Sequence, residues 1–140
     1  MRMEQAREEN EKKKEYLKSY QIALRRQRAT EKEIEELRMM CMAPLGLKQD
    51  GMPHGTGGGD LSDYMERLEE LEEKLKIQIE QKRNIGKEIR QRLDQMQDGE
   101  EARLLEARYI YCLPWEQVAK RLRYGLRQVY RMHGRALKNF

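Results

Sequence analysis

The sequence predicts an all-α protein: a long antiparallel helical hairpin, coiled-coil-like in character, followed by a small trihelical helix-turn-helix domain. Three observations predict it. Only 38% of the 140 residues are hydrophobic against 39% charged, and Phe and Trp together number two, so a thick globular core has no material; narrow seams on extended helices need only two positions in seven. Apolar residues recur at spacings of three and four along two long stretches, one on each side of a break rich in Gly and Pro. The last forty or so residues then hold two shorter helical patterns that meet at a turn.

Residues 1–42 read as one long helix. Its first 15 residues, Met-Arg-Met followed by Glu, Lys, Gln and Asn, offer a core little to hold and are expected to be frayed helix or disorder. From Tyr16 an apolar pattern runs through Leu17, Tyr20, Leu24, Ile34, Leu37 and Cys41, interrupted by polar positions near 27 and 31. Thr30 and Glu33 form a capping-box pattern that marks an alternative local restart of the helix. Residues 43–60 hold Pro44, Pro53 and six of the chain's ten glycines, so they read as a loop or linker. GTGGGD there lacks the Gly-Lys-Ser/Thr of a P-loop, and His54 stands without metal-ligating neighbours.

The second long helix spans 61–98, with Asp60 as its N-cap and its last helical turn near Gln97. Leu61, Tyr64, Leu68, Leu71 and Leu75 alternate spacings of three and four, and Ile85, Ile89 and Met96 resume the register. Ile79 and Leu93 fall one step aside, so the stripe drifts around the helix. Two apolar stripes of similar length joined by a flexible loop bury each other as a hairpin, or pair between chains. Pairs such as Glu70 with Lys74 add a few tenths of a kcal/mol each on the solvated faces.

The terminal domain spans 99–140. Glu100 and Glu101 complement the dipole of its first helix, which presents Leu104, Leu105, Ala107 and Tyr109 and ends near Cys112. Pro114 starts a second helix whose inner face is Trp115, Val118, Ala119 and Leu122. Arg123, Tyr124 and Gly125 make a turn, and Leu126 to about Asn139 form a third helix with Val129, Met132, Ala136 and Leu137 inward.

Charge separates this domain from the rest. Residues 1–98 hold 20 Lys and Arg against 21 Asp and Glu, whereas 99–140 hold 9 against 4, so the excess positive charge lies in the terminal domain and suits a polyanion there. Between 113 and 140 seven basic residues face one acid, Glu116. With Gly125 as N-cap, Leu126, Arg127, Gln128 and Arg131 occupy the outward N-terminal part of the last helix, where a recognition helix enters the major groove. Arginine bonds guanine bidentately and glutamine bonds adenine likewise, which makes these the base-reading candidates. Lys120, Arg121, Arg123, Tyr130, Arg135 and Lys138 are the phosphate-contact candidates. The partner implied is double-stranded DNA.

Other chemistry is not offered. No acid pair, nucleophile with a base, or metal cluster occurs, so neither catalysis nor a cofactor is expected. His133 reads as packing or surface polarity, and Cys41 and Cys112, far apart and without CxxC spacing, read as reduced thiols in a cytoplasmic protein. No apolar run approaches the roughly 18 residues of a membrane span, and no membrane partner is expected.

The run LLEARYIYCLPWEQVAKRLRYGLRQVYRMHGRALKNF resembles the fourth conserved region of sigma-70-type transcription factors. Arg108-Tyr109, Leu113, Trp115-Glu116, Val118-Ala119, Leu122, Val129 and Arg135-Ala136-Leu137 carry the likeness. Three positions depart from it: Pro114 stands where that family has a hydroxyl cap, Arg123 where the turn usually has Gly, and Gly125 where the last helix usually has Ser. The whole chain is similar in design to small phage and prophage regulators of Gram-positive bacteria, including the RinA and ArpU type of late-transcription activators. That resemblance implies a transcriptional regulator that binds promoter DNA and contacts RNA polymerase, assisting a sigma factor rather than replacing one. Homo-oligomerisation through the hairpin is a further expectation. The rival readings are a DNA-packaging adaptor of the small-terminase kind and a coiled-coil scaffold for protein partners.

Overall fold

The computed structural model describes residues 2–42 and 61–140, and all regular structure among them is helical. The expected linker 43–60, with His54, its glycine run and the Asp60 cap, lies outside the described residues. Five α-helices follow one another: α1 (Arg2–Met42), α2 (Leu61–Asp94), α3 (Gly99–Leu105), which continues into a π-helical turn (Glu106–Ile110), α4 (Trp115–Leu122) and α5 (Leu126–Asn139). No helix among the described residues is long and apolar enough to cross a membrane.

α1 is continuous, without the restart that Thr30 and Glu33 could have marked, and it is already helical over the segment where the composition suggests fraying. α2 ends at Asp94, one turn before Gln97.

The chain divides into two compact units, one made of residues 1–23 and 82–140 and the other of 24–81. In the second, Thr30, Ile34 and Leu71 are buried, with Leu24, Leu37, Leu68, Leu75 and Ile79 half-buried. The polar interruption of the α1 stripe is thus partly taken inside, as Thr30. Arg67 bonds Glu33 at 3.2 Å and Arg38 bonds Glu72 at 3.4 Å. All four side chains are about half exposed, so each pair is worth no more than about 1 kcal/mol.

The first unit holds the core of the chain: Leu17 from α1, Ile89 and Leu93 from α2, and thereafter Leu104, Leu105, Ala107, Tyr109, Ile110, Val118, Ala119, Leu122, Val129, Met132, Ala136 and Leu137. Leu93, off the periodic stripe, is buried because this cluster reaches it. At Gly86 the Tyr20 ring of α1 packs directly on the α2 backbone, since an added Cβ would stand 2.9 Å from Tyr20 Cε2.

α3 starts where Asp98 caps it: its carboxylate accepts from the backbone N–H of Glu100 at 2.9 Å and of Glu101 at 3.2 Å. Glu101, buried, accepts from Asn139 Nδ2 at 2.7 Å, which fastens α3 to the end of α5. The π turn closes with Tyr111 N–H on Glu106 O at 3.0 Å and Leu113 N–H on Ala107 O at 3.1 Å. Cys112 then takes φ 58, and the helix cannot resume because residue 113 precedes a proline, which disfavours helical backbone.

Gly86→Ala tests the close approach. Alanine favours a helix interior by about 1 kcal/mol over glycine, but overpacking against Tyr20 costs about 1–3 kcal/mol, so thermal unfolding should show net destabilisation. Gly134→Ala in α5, where nothing lies within 4 Å of an added Cβ, should raise stability instead. A stabilised Gly86→Ala would show that the Tyr20 ring does not pack this closely on Gly86.

Candidate nucleic-acid interface

α5 is divided lengthwise. Val129, Met132, Ala136 and Leu137 are buried, whereas Arg127, Gln128, Arg131, Arg135 and Lys138 are exposed. Arg127, Gln128, Arg131 and Arg135 line one open concavity with Gly125 at its edge, about 410 Å³ in volume. Among the described residues none of the three arginines forms an ion pair, so their guanidinium donors face solvent.

The structure brings together three of the four base-reading candidates, Arg127, Gln128 and Arg131, and sets Arg135, a phosphate candidate, beside them. Leu126, the fourth, is 38% exposed at the start of α5 but does not line the concavity. Tyr130 is exposed and stands edge-on to Trp115 at 5.4 Å between ring centroids. Lys120, Arg121 and Arg123 are exposed on α4 and the turn. Arg121 lies apart from the α5 concavity: its guanidinium is 5.3 Å from the Tyr111 ring centroid, in a separate recess with Arg103, Glu106 and Leu122. Lys138 keeps its ammonium exposed while its carbonyl accepts from Lys13 Nζ at 2.9 Å.

The connection between α4 and α5 is three residues, Arg123 to Gly125. Arg123 has φ 63 and ψ 41, its N–H bonds Lys120 O, and Tyr124 N–H bonds Ala119 O at 3.0 Å. Those two bonds around a left-handed residue make a Schellman cap, which ends α4 and turns the chain. The left-handed position is thus the one where the resemblance has glycine and this chain has arginine. Gly125 has φ −72, an ordinary value, and caps α5 with no side-chain bond. A hydrogen bond from Tyr124 to the Glu100 carboxylate raises the phenol above its usual pKa and ties the turn to α3.

Behind the concavity α5 rests on an aromatic cluster. His133 Nε2 lies 2.7 Å from Tyr109 Oη, and the His133 ring stands edge-on to Trp115 at 4.7 Å. Arg108 covers Trp115, its guanidinium 4.5 Å from the ring centroid, and donates to Leu113 O at 3.0 Å. Burial pushes the Tyr109 hydroxyl up to about 12. It pushes His133 down to about 4, helped by the positive charges of Lys14, Arg108 and Lys18. His133 is therefore neutral near pH 7 and packs as a hydrogen-bonded ring.

The sequence alone did not single out the α1 lysines that reach this domain. Lys13 bonds the end of α5 and Gln21 Nε2 bonds Arg108 O at 3.2 Å. Arg92 of α2 donates to Phe140 O at 2.9 Å and lies 3.9 Å from the Phe140 ring centroid. Cations at the C-terminal end of a helix complement its dipole. These contacts span more than 45 positions, and no local pattern announces them. Among the described residues no group of three His, Cys, Asp or Glu is placed to hold a metal ion.

Protein-family models, curated proteins and solved structures were each compared with the chain, and none matches.

Two outcomes test this geometry. His133, neutral in the fold and with an ordinary pKa near 6.5 when unfolded, binds more protons in the unfolded state between about pH 6.5 and 4. Stability is then full above pH 6.5 and falls by about 2 kcal/mol between pH 7 and pH 5, at 1.36 kcal/mol per unit. Denaturation in urea across that range should show the loss, and His133→Gln should flatten it. Arg123→Gly relieves a left-handed residue and should stabilise by up to about 1 kcal/mol, offset in part by the freedom of glycine in the unfolded chain. A destabilised Arg123→Gly would contradict the turn geometry.

Proposed function

We propose that the protein is a sequence-specific DNA-binding regulator of transcription, of phage or prophage type, acting in the cytoplasm and without enzymatic activity. α4 and α5 serve as a sigma-like helix-turn-helix, and α5 is its recognition helix. The observation that carries this reading is the shared concavity of Arg127, Gln128, Arg131 and Arg135 on the outward face of a helix whose other face is core. A helix is held this way when its N-terminal side chains read base edges in the major groove. Arg127, Gln128 and Arg131 read bases, while Arg135, Lys138, Lys120, Arg123 and Tyr130 contact phosphate. Contact with RNA polymerase is what the likeness to sigma region four adds.

α1 and α2 act as a handle, paired as an antiparallel hairpin. A contact within each unit supports the pairing of α1 with α2: Tyr20 meets Gly86 in one, and Glu33 meets Arg67 in the other.

Fluorescence anisotropy with promoter fragments at two salt concentrations tests the DNA reading. Binding should be present at low salt and weaken steeply with salt, because phosphate contacts release counterions. Arg127→Ala or Arg131→Ala should cost about 1–3 kcal/mol on the preferred site and relax preference at one position. Lys138→Ala should weaken all DNA alike and reduce the salt slope by about 1. No binding even at low salt would refute the proposal.

A further inference from the structure

Charge along residues 24–81 is segregated in a way that the ion pairs within this unit use little. From Glu31 to Glu36, α1 carries four acids and one base, and from Glu66 to Glu73, α2 carries five acids and one base. Immediately beside these stretches the sign reverses. Residues 24–30 carry Arg25, Arg26 and Arg28 with no acid, and residues 74–81 carry Lys74 and Lys76 with one acid, Glu80. All of these acids, and the five basic residues beside them, are exposed.

In the antiparallel hairpin the two acidic stretches lie side by side, as the Glu33–Arg67 and Arg38–Glu72 pairs support. Both basic stretches then sit at the adjoining level. Like charges on neighbouring helical positions are destabilising, and within a lone helix pair this is offset only where the stretches meet, as between Glu73 and Lys76 at 4.0 Å. Its apolar side is also incompletely covered among the described residues: Met65, at the border of the α2 stripe, is 48% exposed, while Leu24, Leu37, Leu68, Leu75 and Ile79 are half-buried.

We infer that this helix pair docks on a second copy of itself in an antiparallel, two-fold arrangement that sets the acidic stretch of each copy on the basic stretch of the other; the dimer rests on the hairpin reading. An acidic partner would complement one level only, and a basic partner the other only. A second copy inverted about residue 30 complements both at once, and its interface is self-complementary and closed. A parallel pair would put acid on acid and base on base, and such like-charge contacts select against it. The half-buried leucines and Ile79, whose exposed edges one copy leaves to solvent, add apolar area to that contact.

Sedimentation equilibrium on the full chain should give a mass twice its 16.9 kDa. The triple variant Arg25→Glu, Arg26→Glu, Arg28→Glu should raise the dimer dissociation constant at least about tenfold, as should Glu66→Lys, Glu69→Lys, Glu73→Lys. Mixed one to one, the two variants should associate again, which excludes misfolding as the cause of either loss. In the inverted pair the two Cys41 residues stand about eleven positions each from the axis, on the order of 30 Å apart at 1.5 Å per residue. A short bis-maleimide should therefore not join them.

A monomer at every concentration, a ring-sized mass, no rescue on mixing, or a Cys41–Cys41 cross-link would each overturn the inference. The hairpin itself is checked separately with Glu33→Cys and Arg67→Cys in a chain whose Cys41 and Cys112 are replaced by Ser. A cross-link within one chain upholds the hairpin even where the dimer fails, and its absence removes the hairpin and the dimer together.

Discussion

The buried stripe of α5, Val129, Met132, Ala136 and Leu137, is the contact on which the terminal domain depends. A helix of 14 residues has room for one apolar stripe, and committing it to α3 and α4 decides what the other side presents. Rotation of α5 by one residue would expose Val129 and bury an arginine, and an unpaired buried charge costs several kcal/mol. The outward direction of Arg127, Arg131 and Arg135 is therefore a consequence of packing before it is a matter of function.

Several polar contacts hold that rotation and keep α5 from sliding. Asn139 reaches the buried Glu101, His133 reaches Tyr109, and Lys13 and Arg92 bond the carbonyls of Lys138 and Phe140. Acid weakens the His133 contact, because only the neutral ring suits its buried place. The Schellman cap around Arg123 sets the angle at which α4 delivers the chain into α5. A left-handed arginine is a less favourable way to make that turn than glycine. In the DNA reading, its exposed charge is a phosphate contact that glycine could not make, which gives a physical reason for the departure from the sigma-like pattern.

Much of the fold was legible in the sequence because it is local. The three-and-four spacings placed α2, α4 and α5 within a few residues, and Asp98, Pro114 and the Arg123–Gly125 turn marked the boundaries that the structure has. The outward set of α5 followed from the same spacing, though Leu126, exposed like the others, stands outside the concavity. What was hidden is long-range or conformational. The π turn before Cys112, the burial of Thr30 and Leu93, and the α1 lysines beside α5 depend on partners distant in sequence or on backbone that no periodicity encodes. The separation of Arg121 from the α5 face belongs with these: in the bare sequence it looks the same as Arg123.

That α5 reads base sequence is tested most directly by sequencing random DNA fragments retained by the protein at moderate salt, beside those retained by an Arg127→Ala, Arg131→Ala double variant. A short motif should be enriched by the intact protein and lost or blurred with the variant, while some fragments are still retained through phosphate contacts. The same fragment composition with both proteins, unchanged from the input pool, would contradict base reading by α5.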